Sequence, residues 1–91
     1  MSVTVKIPIA LRQYAQDKSE LEIDAGTVRE LLQNMDSLFH GLMAFVVDES
    51  GELRRYVNVF VNHEDVRSGE GLMTKLKDGD QVTIVPAVAG G

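Results

Sequence analysis

The residues of this sequence that could take part in chemistry lie at its C-terminus. The segment Pro86-Ala87-Val88-Ala89-Gly90-Gly91 has short side chains that narrow to two glycines before the final carboxylate. Since glycine makes up about 7% of an average protein, a terminal Gly-Gly arises by chance in roughly one chain in two hundred. A C-terminal carboxylate, with a pKa of about 3.5, is ionised at neutral pH and is a poor electrophile until it is activated. A cleavage scar would leave the same dipeptide, so the fold that precedes it must decide its meaning.

The other candidates for catalysis do not form a recognisable set. His40 and His63 are the only histidines, and the chain has no cysteine that could act as a nucleophile or metal ligand. His63-Glu64-Asp65 are consecutive, and neighbours in a turn rarely converge on one metal ion. Gly69-Glu70-Gly71 does not match a phosphate-binding loop, and no serine or threonine lies in a known catalytic pattern. We therefore expect no catalytic residue, no metal ligand and no bound cofactor in this chain.

The charge of the chain bears on its partners. Fourteen acidic and nine basic side chains give a formal net charge of -5, the wrong sign for a protein that binds nucleic acid through its phosphates. An acidic protein is suited to a basic docking face on another protein, although many proteins are mildly acidic without such a partner. Arg54-Arg55 and Arg67 could form a small basic docking patch, but we interpret them as solvated surface.

Length and composition indicate one small soluble domain. Ninety-one residues, of which 44% are hydrophobic and 25% charged, suit a single globular fold. The N-terminus lacks the basic segment and apolar core of a signal peptide, and no apolar run approaches the roughly 18 residues of a membrane span. We expect a cytoplasmic protein that does not bind membranes.

Two strands and one helix are predicted in the first part of the chain. Residues 3–7 alternate apolar and polar side chains, which indicates a half-buried strand that ends at Pro8. Residues 20–24 repeat the alternation after a polar connection, so we expect the two strands to pair antiparallel. Thr27-Val28-Arg29-Glu30 has the spacing of a capping box, and the apolar stripe behind it predicts a helix from Thr27 to Met35. Residues 38–47 are apolar without a clean period and fit either a helical turn or a short strand.

Two further strands are predicted in the second part. Residues 56–62 alternate strictly, with Val57, Val59 and Val61 facing the core, which leaves Phe60 partly exposed on the opposite face. Residues 81–85 follow a turn and end at Pro86, with Val85 facing outward.

This order of elements predicts an α+β fold in which one helix packs on one face of a mixed sheet. A right-handed crossover would place the last strand beside the first and parallel to it, which is the β-grasp or ubiquitin-like arrangement. We expect a β-grasp domain over residues 1–86 and a flexible tail over residues 87–91.

Three stretches of the chain match a known pattern: residues 3–8, residues 53–62 and residues 78–91. Through them the sequence resembles the MoaD/ThiS-type ubiquitin-like sulfur carriers, most closely the CysO-like branch. The last stretch is the most specific. Family members often have glycine where this chain has His63, and Met73-Thr74-Lys75 differs from their commoner Asp-Thr-Pro. Because histidine tolerates a left-handed backbone better than most residues, we expect the turn at His63 to form.

The resemblance implies a sulfur carrier that works with other enzymes and is not itself an enzyme. In this family an ATP-dependent adenylyltransferase, similar to those that activate ubiquitin, converts the terminal carboxylate to an acyl-adenylate. A sulfur donor then displaces AMP and leaves a thiocarboxylate, so Gly91 would carry the sulfur. Phe60 and Val85 would dock the body of the domain on the partner. The residues that would thread into the partner's channel are Gly90, Ala89, Val88 and Ala87.

The resemblance leaves several acceptors open. In the CysO-like branch a pyridoxal-phosphate cysteine synthase takes the sulfur, and a zinc metalloprotease then releases the cysteine and restores Gly91. The same tail fits a molybdopterin synthase small subunit or a thiamin sulfur carrier. A ubiquitin-like protein modifier would pass the activated carboxylate to a lysine instead. A pure interaction module would not use Gly91 at all.

Overall fold

The alternating segments of the sequence form a mixed sheet in a computed structural model, which describes residues 2–86. One α-helix, α1 (Val28–Leu38), accompanies the strands. Short 3₁₀ segments lie at Ile9–Ala15, Met43–Phe45, Val66–Ser68 and Gly71–Met73. The strands are β1 (Ser2–Lys6), β2 (Glu20–Asp24), β3 (Val57–Val61), β4 (Glu64–Asp65) and β5 (Gln81–Pro86).

The strand order in the sheet is β2-β1-β5-β3-β4. The first two strands pair antiparallel, as predicted. The last strand lies parallel to β1, with Val82 opposite Val5, and antiparallel to β3, with Ile84 opposite Val59. This arrangement confirms the predicted β-grasp fold.

The helix begins at the predicted capping residues. The Glu30 amide donates to Thr27 Oγ1 at 3.2 Å, while Glu30 Oε1 accepts a hydrogen bond from the Gly26 amide at 2.7 Å. The helix ends at Leu38 rather than at Met35, because its exposed last turn continues without the apolar stripe used to predict its end. Within residues 2–86 no helix has the length and apolarity required to span a bilayer.

The core lies between α1 and the inner face of the sheet. Alternate residues of β1, β3 and β5 are buried there, and they meet the apolar stripe of the helix. Within the described residues no polar side chain is buried, so burial of apolar surface is the main term that stabilises this fold. The fully buried residues of the sheet and helix include Val5, Val57, Val59, Val82, Val28, Leu31 and Met35.

Two features of the fold were not predicted, and a third was left open between two alternatives. The connection between β1 and β2 folds into the 3₁₀ segment Ile9–Ala15, because Leu11 and Ala15 reach the core. Residues 38–47, which were expected to form either a helical turn or a short strand, contain the helical turn Met43–Phe45. The edge strand β4 is only two residues long and polar, so it has no hydrophobic alternation to detect.

The turn between β3 and β4 forms, but His63 is not its left-handed residue. That conformation belongs to Asn62, with φ of 58°, which is a residue type that tolerates it. The Asn62 amide donates to the Gln81 carbonyl at 2.7 Å, and Asn62 Oδ1 accepts from the Gln81 amide at 3.1 Å. The turn is therefore fixed to the start of β5 by the side chain of Asn62.

Candidate functional site

Strand β5 leads directly to the tail that was predicted to carry sulfur. Its last residue, Pro86, pairs with Val57 at the start of β3. The structure places the candidate site at this end of the sheet, which we call the tail-bearing end, since residue 87 follows there. The predicted sulfur-carrying and threading residues lie outside the described part of the chain, and their roles stay predictions: Gly91, Gly90, Ala89, Val88 and Ala87.

The two predicted docking residues, Phe60 and Val85, lie together on the face of the sheet opposite α1. Phe60 is opposite Thr83 and Val85 is opposite Asn58, so the two apolar side chains are diagonal neighbours on adjacent strands. Phe60 is half-buried and Val85 is 40% exposed. The sheet thus presents a small apolar area one residue before Pro86, where a docking surface was predicted.

Charged residues border this apolar area across the sheet. The strand registers place Lys6 beside Thr83 and Asp65 beside Phe60 on the same face. Lys6 Nζ lies 3.4 Å from Glu20 Oε2, but both side chains are about half exposed, so this ion pair adds little to stability. An apolar centre with a charged border is the usual anatomy of a surface that meets another protein.

An open groove runs along the other side of the end of β5. Strand β1 pairs with β5 only as far as Thr83, because Pro8 then directs the chain into the Ile9–Ala15 segment. The Arg12 Nε donates to the Ile7 carbonyl at 3.0 Å and fixes that segment. The groove therefore borders the last residues of β5 before the tail. Its lining includes Lys6, Pro8, Ala10, Arg12, Val85 and Pro86.

Two arginines that were interpreted as solvated surface hold fixed positions at the tail-bearing end. Arg67 Nη1 donates to Asn58 Oδ1 at 2.8 Å, and Arg67 Nη2 donates to the Arg54 carbonyl. Arg54 Nε in turn donates to the Ala44 carbonyl at 2.8 Å. The contact between Arg67 and Asn58 could not be predicted from their spacing in the sequence. It depends on the β3–β4 hairpin and its short polar strand.

Asp48 organises the loop that precedes Arg54. Its Oδ1 accepts hydrogen bonds from the Ser50 hydroxyl at 2.6 Å, the Ser50 amide at 2.9 Å and the Glu52 amide at 3.1 Å. These bonds, that of the Ser50 hydroxyl above all, lower the pKa of Asp48 below its ordinary value, and the charge of Arg54 adds a smaller effect. The carboxylate of Asp48 thus stabilises the conformation of its own loop.

The histidines lie apart from one another in sequence and are both exposed. His63 is in the turn after β3, at the end of the sheet away from Pro86. Across residues 2–86, no three His, Asp or Glu side chains are grouped so that they could hold a metal ion.

Comparison with known proteins places the chain in a family. The model of the ThiS family matches residues 5–91, a range that includes the terminal Gly-Gly. Sulfur carrier protein CysO of Mycobacterium tuberculosis is 41% identical over 93 residues, covering 100% of both chains. Small archaeal modifier protein 3 of Haloferax volcanii is 38% identical over 68 residues, covering 75% of this chain and 73% of that protein.

A solved structure agrees with this match. A chain of the crystal structure of the Amycolatopsis orientalis BexX/CysO complex has a TM-score of 0.91 and 45% identity, covering 98% of this chain and 99% of that chain. The sequence match and the fold agree, and the protein belongs to the ThiS family.

Proposed function

We propose that this protein is a sulfur carrier whose terminal glycine carboxylate becomes a thiocarboxylate and donates its sulfur to biosynthesis, most directly that of cysteine. The observation that carries the proposal is the family match through Gly91, on a domain whose last strand ends at Pro86. The full-length similarity to CysO, which is named a sulfur carrier protein, supports it.

The chemistry needs an activating enzyme. A carboxylate oxygen of Gly91 attacks the α-phosphorus of ATP, and pyrophosphate leaves, which produces an acyl-adenylate. A sulfide-level donor then attacks the acyl carbon, AMP leaves with the bonding electrons, and the thiocarboxylate remains. The chain contains no glycine-rich nucleotide-binding motif. The adenylyltransferase therefore supplies the nucleotide site, and this protein is its substrate rather than a catalyst.

The tail and the sheet have separate tasks in this proposal. Gly91 carries the sulfur, and Gly90 lets a bare backbone enter a narrow channel that excludes water. The short side chains of residues 87–89 follow it into the channel. Phe60 and Val85 dock the domain, which is supported by their shared exposed face one residue from the end of β5.

The acceptor is proposed to be a pyridoxal-phosphate cysteine synthase that acts on an activated serine. The proposal includes a zinc metalloprotease that releases the new cysteine from the C-terminus and restores Gly91. The similarity to CysO supports this branch over the molybdopterin and thiamin carriers. The complex of Amycolatopsis CysO with BexX supports the idea that carriers of this shape act through protein complexes.

The test is the intact mass of the purified protein after incubation with ATP, an adenylyltransferase and a sulfide source. We expect a mass gain equal to the replacement of one oxygen by sulfur, and we expect the gain to disappear when Gly91 is deleted. No gain with an adenylyltransferase that forms the adenylate would contradict the proposal. Adding the cysteine synthase and an activated serine then tests the acceptor, because the mass should change to that of a cysteine adduct.

A protein modifier is the second candidate, favoured by the similarity to small archaeal modifier protein 3. In that case a lysine amine would attack the acyl-adenylate, AMP would leave and an isopeptide bond would form. Digestion of cell extracts with a protease that cleaves after alanine, and so after Ala89, would then leave Gly-Gly remnants on lysines of other proteins. Their absence in cells that form the thiocarboxylate would leave sulfur transfer as the function.

A further inference from the structure

The tail-bearing end of this acidic protein carries two arginine side chains held by neutral groups. The acceptors of Arg67 are the amide oxygen of Asn58 and the Arg54 carbonyl, and the acceptor of Arg54 is the Ala44 carbonyl. None of these acceptors is a carboxylate, so these contacts fix the two guanidinium groups without cancelling their charges.

Neither arginine forms a salt bridge within residues 2–86, although Asp48 lies near enough to Arg54 for that charge to lower its pKa. Among residues 2–86 the only salt bridge joins Lys6 and Glu20. Asp65 Oδ1 accepts a hydrogen bond from the backbone amide of Arg67, with an N···O distance of 2.9 Å. Asp48 Oδ1 accepts three hydrogen bonds from its own loop. Arg67 is exposed and uses two of its five N–H groups in the contacts above. Three N–H donors are therefore left for a partner, in a planar group whose position is fixed.

The position of Arg67 connects it with the predicted docking residues. Its guanidinium lies against Asn58, which is the cross-strand neighbour of Val85 and shares a face of β3 with Phe60. Asp78 and Asp80 lie at the other end of β5, next to its first residue. Asp78 Oδ1 accepts a hydrogen bond from the Ser2 amide, and Asp80 Oδ2 accepts one from the Lys77 amide. The guanidinium of Arg67 thus lies near the end of β5 from which the chain leaves the domain, away from Asp78 and Asp80.

We propose that Arg67, supported by Arg54 and Asn58, binds carboxylate groups at the mouth of the channel in the adenylating partner that receives the tail. This inference rests on the proposed function. A fixed guanidinium beside an apolar area fits a partner surface that has an apolar centre and an acidic border. One carboxylate of that border can accept two hydrogen bonds from the guanidinium at once. The charge that guides docking is then opposite in sign to the net charge of the protein.

Two substitutions test the charge of Arg67 in different ways. Arg67→Gln removes the charge. Asn58→Asp leaves the arginine in place and keeps an acceptor for Nη1, but puts a carboxylate beside it that neutralises it. The matched controls are Arg29→Gln and Gln33→Glu, which change the net charge equally at exposed positions of α1, on the opposite side of the sheet.

The measurement is the Kd for the adenylyltransferase that produces the mass gain described above, at low and at physiological salt, with the Tm of each variant. We expect Arg67→Gln and Asn58→Asp each to weaken binding roughly tenfold and to reduce its salt dependence. We expect the two controls to stay within about twofold of the unmodified protein. Asn58→Asp should not lower the Tm, because its new ion pair replaces a hydrogen bond.

Either of two results would overturn the inference. If Asn58→Asp binds as tightly as Gln33→Glu, the charge of Arg67 has no part in docking, and any loss in Arg67→Gln reflects the local fold. If both test variants lose affinity by the same factor at low and at physiological salt, the contact of Arg67 is not electrostatic and its partner is not a carboxylate. These results are separate from a failure of the proposed function, which would show as a missing mass gain in the unmodified protein.

Discussion

Val59 and Phe60 are neighbours on β3 that face opposite sides of the sheet. Substitutions at these two positions therefore test folding and docking separately. Val59 is 0% exposed and lies opposite Ile84 in the core. Val59→Ala removes two carbon atoms; at about 0.8 kcal/mol for each buried CH₂, plus the cavity left behind, the free energy of unfolding should fall by about 2 to 3 kcal/mol. At roughly 4 to 8 °C for each kcal/mol in a domain of this size, the Tm should fall by roughly 10 °C or more.

The assay is urea unfolding followed by circular dichroism, combined with binding to the adenylyltransferase. For Val59→Ala we expect a lower midpoint, an unchanged m-value and, under conditions where the variant is folded, an unchanged Kd. For Phe60→Ala we expect the reverse. The side chain is half-buried on the outer face, so stability should fall by less than in Val59→Ala, while the affinity for the enzyme should weaken at least about tenfold.

Val85→Ala is the matched control for Val59→Ala, because it removes the same atoms from a side chain that is 40% exposed on the outer face. Its cost in stability should be below about 1 kcal/mol. Equal shifts in the urea midpoint for the two valine variants would refute the assignment of these residues to opposite faces. An unchanged Kd for Phe60→Ala would remove Phe60 from the docking surface.

Three further outcomes are expected. Gly91→Ala should leave the Tm unchanged but block thiocarboxylate formation, measured by intact mass; normal formation would contradict the narrow-channel argument. Thr27→Ala should lose about 1 kcal/mol of stability because the Glu30 amide loses its acceptor, while Thr27→Ser should keep it; equal stability of the two variants would show that the cap contributes nothing. For Asp48, folding lowers the pKa, so its stabilising effect is present above the unfolded pKa of about 3.9 and is lost as the pH falls through the folded value. The stability advantage over Asp48→Asn should therefore shrink below about pH 4, and an advantage equal in size at neutral and strongly acidic pH would contradict this assignment.

The elements with a strong local pattern were predictable from the sequence. Thr27 and Glu30 cap the helix because their spacing depends only on local backbone geometry. The strict alternation in residues 57–61 determines which side of β3 meets the core, and this places Phe60 on the outer face. The pairing of β5 with β1 followed from the handedness of the crossover.

The contacts that depend on strand register were not predictable in the same way. Arg67 meets Asn58 only because a two-residue polar strand turns the chain back along β3. The left-handed residue of that turn is Asn62 rather than His63, which depends on the register that brings Asn62 to the start of β5. In the segment Ile9–Ala15 the sequence shows an apolar pair, Leu11 and Ala15, four residues apart. One such pair is too short a pattern to define an element, although both residues are buried in the structure.

The two ends of β5 differ in the charged groups that lie beside them and in what those groups contact. At the start of the strand, the carboxylates of Asp78 and Asp80 accept hydrogen bonds from backbone amides, and these bonds stabilise the turn there. At the end of the strand, the guanidinium of Arg67 is held by an amide and a carbonyl oxygen, which leaves its charge available. Exposed charges more than about 8 Å apart are strongly screened at physiological salt, and a six-residue strand spans roughly 17 Å. Under the proposal above, a partner that receives the tail therefore meets the guanidinium of Arg67 more strongly than the carboxylates at the start of β5.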